Sequence, residues 1–293
     1  MATLEFHALN ISAHPHPNGI YRELFDRVAG RRFKYFGEKI AAVSKPSQSR
    51  DGVFWGYIFT WTEIDANQKV IDTLLMQEPD EEQKSKINIP ENIGFHWQIF
   101  HYAFREKDHI LVFESRNSEG RTFAPSNSER LFRSLFSEET LRDISFTLTK
   151  PNYVEVDLII EINSIDKIYS IQNLRRLEIL ISVPNGDDST EDADELIERL
   201  EKVKAKRQLT IYTAANSDEG IKPDEQMKAQ SEAALRHGYT RGEGRNGEEK
   251  ISISTKSYPQ RQIANLDSEA TAIDTAISVA RRWTTLFRRS EAD

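Results

Sequence analysis

The chain has 293 residues, no cysteine, and 39 basic against 47 acidic side chains, for a formal net charge of −8. Its 38% hydrophobic content is enough for a core and excludes wholesale disorder. No apolar run approaches the ~20 residues of a membrane span, and the lack of cysteine excludes disulfides, thiolate nucleophiles and cysteine-ligated zinc.

Leu4, Phe6, Ala8 and Ile11 mark an opening strand, and Pro15 and Pro17 make the loop after it irregular. Residues 20–29 read as an amphipathic helix, because Ile20, Leu24 and Val28 recur at i, i+4 and i+8. Residues 33–44 and 52–63 read as strands. In the second, Val53, Trp55, Tyr57, Phe59 and Trp61 alternate with Phe54, Gly56 and Ile58, so both faces are apolar and the strand is central. Residues 69–76 continue the sheet or start a short helix, and 78–86 form a charged surface loop. Residues 94–104 and 109–115 make a hairpin. Residues 126–136 are a helix opened by a Ser126/Glu129 capping box, and 137–142 a further helical turn.

From residue 144 the order reads β-β-α-β-α-β-α-β-β-α. Strands fall at 144–149, 153–162, 177–183, 209–214, 239–242 and 250–256, and helices at 164–172, 190–206, 223–237 and 268–288. The pattern predicts a two-domain α+β or α/β protein, divided into residues 1–150 and 151–293. Its sheets are mixed and mainly antiparallel, with helices packed on one face. The first ten residues show no basic region followed by an apolar stretch, so a cytoplasmic protein is expected.

Chemical motifs are sparse. His14 and His16, with His7 nearby, fall short of the three or four ligands a metal needs and read as loop and surface histidines. Glu155, Asp157 and Glu161 lie at even offsets on one strand and so share a face, which Glu178 could join. Such a cluster can hold magnesium in a nuclease, and a metal-dependent nuclease or other toxic effector is the alternative function for this chain. A solvated face opposite Val154, Val156, Leu158 and Ile160 is the simpler interpretation. Residues 242–247 (Gly-Glu-Gly-Arg-Asn-Gly) lack the lysine and Ser/Thr of a phosphate loop and read as a hairpin connection. No catalytic residue and no cofactor are expected.

Basic residues give the stronger signal. Arg22, Arg27, Arg31, Arg32, Lys34 and Lys39 cluster early; Lys202, Lys204, Lys206 and Arg207 close one helix; Arg236, Arg241, Arg245 and Lys250 surround the late hairpin. Arg281, Arg282, Arg288 and Arg289 close the last helix, whose stripe of Ala270, Ile273, Ile277, Ala280, Thr284 and Phe287 fits core packing or a dimer contact. The acidic stretch 191–198 could meet a basic partner. Arg31, Arg32, Arg241, Arg245, Arg281 and Arg282 are the candidate phosphate contacts, which position a duplex without reading its bases.

Residues 95–100 (Phe-His-Trp-Gln-Ile-Phe), 108–113 (Asp-His-Ile-Leu-Val-Phe), 123–127 (Phe-Ala-Pro-Ser-Asn) and Leu131-Phe132 follow a strand–turn–strand–loop–helix order. With the strands and long final helix of the second half, this order resembles the phage RexA exclusion proteins and their prophage relatives. The resemblance implies a non-enzymatic, DNA-binding sensor of infection in abortive exclusion. It further implies a homodimer that binds double-stranded DNA without sequence preference, with a membrane channel protein as partner.

Overall fold

The computed structural model describes residues 2–64, 69–86, 90, 92–183, 199–200, 202–216, 218–266 and 271–283. The chain folds as a mixed α+β protein with two antiparallel sheets, one of eight strands and one of four.

The large sheet is organised by β1 (Thr3–His14). Leu9, Ile11 and Ala13 enter one core while Leu4, Phe6 and Ala8 enter the other, as the alternation of a strand dictates. On one side β1 pairs with β6 (Ile110–Arg116). On the other it pairs first with β12 (Arg261–Asn265), then with β7 (Tyr153–Leu158). Beyond β6 the sheet continues through β5 (Phe95–Arg105), β4 (Val53–Thr62), β3 (Lys39–Val43) and β2 (Phe33–Phe36). The doubly apolar β4 is therefore interior, as its sequence predicts. The single strand expected over 33–44 is split by a turn at Gly37, whose φ of +52° suits glycine.

On one face of this sheet sit α1 (Ile20–Val28) and α3 (Pro125–Leu135). Phe25 anchors that core against Phe54, Tyr102, Phe104, Phe132 and Phe136, at ring-centroid distances of 5.2 to 5.8 Å. The expected capping box of α3 does not form. Pro125 opens the helix with no side-chain cap, and Glu129 is drawn instead into ion pairs with Arg133 and Lys256. A capping box does appear in the charged loop, where Asp80 and Gln83 open α2 (Glu81–Ser85). Ser137 caps α4 (Glu138–Arg142).

Against the other face lies α7 (Ala272–Arg282), which buries Ala276, Val279, Ala280 and Trp283. Its terminal carbonyls would be orphaned. The buried Arg105 guanidinium answers them, donating to Ala280 O at 2.6 Å, Arg281 O at 3.2 Å and Trp283 O at 2.8 Å while also gripping Asp108.

The small sheet runs β11 (Glu249–Ser254), β10 (Gly238–Asn246), β8 (Asn173–Ser182) and β9 (Arg207–Thr213). One face packs on α5 (Ser164–Tyr169) and α6 (Glu225–His237) through Leu174, Leu177, Ile179, Ile181 and Ala234. Residues 242–246 are strand rather than connection, and the hairpin turn falls at Gly247 with φ +61°. No strand forms over 144–149. Most of the expected helix 190–206, the acidic stretch 191–198, and Thr284, Phe287, Arg288 and Arg289 lie outside the described residues.

The expected boundary at 150/151 does not divide the two sheets. β7, β12 and α7 all belong with the large sheet, so the small sheet is carried between two segments that return to β1.

Candidate nucleic-acid interface

The six arginines singled out from sequence occupy three separate places. Arg31 and Arg32 follow α1 near the end of β4, where Arg32 pairs with Glu63 at 3.0 Å. Arg281 pairs with Asp51 just before β4 begins, and Arg282 is exposed beside it on α7. A ten-residue strand separates these two places, about 3.4 Å per residue. Arg241 and Arg245 stand on β10, in the other sheet. The six are therefore spread over three sites, two at opposite ends of β4 and one on β10.

The carboxylates of β7 are not a solvated face. Glu155 and Asp157 are each 4% exposed and lie in the seam between the two sheets. The seam is filled with cations. Arg207 of β9 donates to Glu155 Oε2 through Nε at 3.1 Å and also through Nη2. Arg133 reaches round the sheet edge to Val156 O at 2.8 Å and Asp157 Oδ1 at 2.7 Å. Lys256 and Arg133 share Glu129. Burial pushes the Asp157 carboxyl above its ordinary pKa, against the pull of Arg133. Glu161 lies beyond the strand, where its N–H bonds Tyr258 O, and Glu178 sits in the small sheet paired with Arg176. Among the described residues no three His, Asp or Glu side chains are grouped as a metal site would need. The positions a metal would take beside Glu155 and Asp157 are held by guanidinium groups.

The histidines are likewise structural. His7 is buried against Ser115 (2.8 Å) and its pKa falls to about 4, through burial and then Arg261. His14 stacks on Tyr153 and bonds Val183 O at 3.2 Å. Burial takes its pKa to about 4 despite that carbonyl, with His16 and His109 adding to the fall.

The outer face of the small sheet is different. Helices cover one face, and strand alternation places Arg176 and Glu178 of β8, Arg241, Glu243 and Arg245 of β10, and Lys250 and Ser252 of β11 on the other. A register shift between Glu243 and Gly244 adds a residue to β8 and brings Arg175 alongside. Arg175, Arg176, Arg245 and Lys250 then line one depression of about 340 Å3, together with a single carboxylate, Glu243. Arg245 and Lys250 are direct cross-strand partners, an arrangement of like charge that costs stability unless an anion answers it. Arg176 is paired with Glu178 and Arg241 with Glu243, both at 2.7 Å. Among the described residues Arg175, Arg245 and Lys250 have no carboxylate within ion-pair distance, and Arg175 Nε has no hydrogen-bond partner.

Sequence reading found Arg241 and Arg245 but passed over Arg175 and Arg176. Their signal was available, as an Arg-Arg pair at the start of an apolar alternation that needs only one solvated face. No helix of the described residues is long and apolar enough to cross a membrane.

The small sheet is thus backed by helices on one face, and its other face carries Arg175, Arg176, Arg241, Arg245 and Lys250 against Glu178 and Glu243, with Leu209 and Ile211 of β9 exposed along its edge. The chain belongs to the DUF4747 family, a domain of unknown function whose family model matches residues 2–281. No curated protein matches it.

Proposed function

We propose that this protein binds nucleic acid through the phosphate backbone, without reading sequence, on the outer face of the small sheet. The observation that carries this reading is the convergence of Arg175, Arg245 and Lys250 on one depression whose single carboxylate, Glu243, is engaged by Arg241, leaving these three without an ion-pair partner among the described residues. Arg176 and Arg241 flank them. Their surface ion pairs are worth about 1 kcal/mol at most, so a phosphate can take the place of Glu178 or Glu243. The net charge of −8 repels polyanions at long range and confines binding to this local patch. Arg31, Arg32, Arg281 and Arg282 fall outside the interface in this reading. The resemblance to the RexA proteins extends it to a non-enzymatic, dimeric sensor of infection acting with a membrane channel protein. That extension rests on the resemblance alone.

The test is a salt series of binding to two unrelated duplexes, with the wild type and with Arg245→Gln/Lys250→Gln. Equal affinity for both duplexes and a shallower salt slope in the variant are expected. Unchanged binding by the variant removes this face from the mechanism.

A further inference from the structure

The large sheet carries a second feature that the duplex reading does not use. On the α7 side of β4, Trp55, Tyr57, Phe59 and Trp61 share a face with Ile99 and His101 of β5. Val53, Trp55 and Ala103 at one end join the core beneath α7. At the other end Tyr57 is 37% and Trp97 63% exposed, and a cleft of about 630 Å3 opens between Trp61, Trp97 and Phe59. That volume lies within the range of small-ligand sites, about 300–1,000 Å3.

The cleft is built rather than incidental. Glu63 accepts Trp61 Nε1 at 3.1 Å and Arg32 Nη1 at 3.0 Å, which fixes the indole and sets the guanidinium 6.0 Å from its ring centroid. A Cβ on Gly94 would overlap the Trp61 ring, so only glycine lets this segment form the cleft wall. Where β2 stops short of the end of β3, Gly30 N–H bonds Val43 O and carries Arg32 to the rim. Lys45 stands on the same rim, 79% exposed and 3.9 Å from Asp26, and Asn92 offers an amide.

These groups select the ligand. The cleft lining holds two cations, Arg32 and Lys45, and one carboxylate, Glu63, which Trp61 and Arg32 already engage; Lys45 meets Asp26 from outside the lining in an exposed 3.9 Å pair that an anion can displace, so a cationic guest is disfavoured. An anion without a ring would leave Trp61 and Trp97 unused, and an uncharged ring would leave Arg32 and Lys45 with only their exposed partners Glu63 and Asp26. We propose that this cleft binds one nucleotide unit, with the base against Trp61 and Trp97 and the phosphate on Arg32 and Lys45. Base stacking on aromatic side chains tolerates any base, because every base has a π-face. The unit could be a free nucleotide or one residue of a single strand, and both present the same chemistry. The site shares no residue with the duplex face: Trp97 stands on β5 and Arg32 just before β2, whereas Arg245 and Lys250 stand on β10 and β11.

The experiment titrates the full chain with AMP, adenosine, inorganic phosphate and a short oligo-dT, followed by indole fluorescence and calorimetry. AMP is expected to quench saturably, with adenosine and phosphate each at least tenfold weaker. Arg32→Gln should reduce AMP to the adenosine level, and Trp97→Ala should weaken AMP and adenosine tenfold or more. Both side chains are exposed enough for the fold to survive, which circular dichroism checks. Tighter binding of oligo-dT than of AMP identifies a single strand as the source, and the reverse identifies a free nucleotide. Absence of saturable binding by both AMP and oligo-dT, or unchanged affinity in Trp97→Ala, overturns the proposal. Duplex binding by Trp97→Ala should match the wild type, so this site and the small-sheet face succeed or fail independently.

Discussion

Arginine does opposite work in two neighbouring regions of this molecule. In the seam between the sheets, Arg133 and Arg207 are spent on Asp157 and Glu155, carboxylates that are almost wholly buried. On the outer face of the small sheet, Arg175 and Arg245 stand beside Lys250 without such partners among the described residues. The strand register explains both. β9 pairs with β8 so that Arg207 falls opposite Ser182, at the end of the sheet that meets β7. Arg245 falls opposite Lys250 at the far end. A basic residue is informative about ligands only once its internal partners have been counted, because a cation that neutralises a buried carboxylate serves the fold and an unpaired cluster costs it.

The largest effect that sharpens this contrast is on stability. Arg207→Met should lower stability by about 2 kcal/mol, because the buried Glu155 loses its partly exposed guanidinium partner, whereas Arg245→Met should stay within about 0.5 kcal/mol. The double change Arg207→Met/Glu155→Met should recover most of the loss. Urea unfolding of the four chains measures this, and equal losses in the two single variants would erase the distinction between seam and face.

The next effect is on binding. Each phosphate contact contributes about 0.9 to the salt slope of duplex binding, so Arg245→Gln/Lys250→Gln should lower it by about 1.8. Affinity at low salt should fall tenfold or more with stability unchanged. Glu155→Gln and Asp157→Asn, in the seam, should alter unfolding rather than duplex binding.

Acidification probes the buried His7 and the half-buried His14 against the exposed face. His7 and His14 stay neutral in the folded chain down to about pH 4 but take up protons near 6.5 when unfolded. Protons therefore favour the unfolded chain, so stability should fall as pH drops from about 6.5 towards 4 and be unaffected by these groups above that window. His7→Gln should flatten the decline, as read from thermal midpoints across pH. The smallest effect is expected for Arg281→Gln. Its pair with Asp51 is half exposed, so stability should move by less than about 0.5 kcal/mol, with duplex affinity the same as wild type.

Local pattern was legible where periodicity meets a single requirement. The two apolar faces of β4, the i, i+4 spacing of Ile20, Leu24 and Val28, and the 94–115 hairpin all form where they are expected. What covers a face was not legible. Alternation placed Glu155 and Asp157 together but could not show that Arg133 of α3 and Arg207 of β9 close over them, from 24 and 52 residues away. For the same reason β12 went unrecognised, being five residues of weak alternation that form a strand only because β1 offers an edge. The apolar alternation of β4 marks a central strand, but nothing local distinguishes Trp55, which packs beneath α7, from Trp61 at the open end.

The central claim is that the unpaired cations of the small sheet meet phosphate, and duplex affinity across a salt series tests it most directly. The account predicts equal, steeply salt-dependent binding to two unrelated duplexes by the wild type, and a slope reduced by about 1.8 in Arg245→Gln/Lys250→Gln. Wild-type binding that is absent at low salt, or a variant slope equal to the wild type, would contradict it.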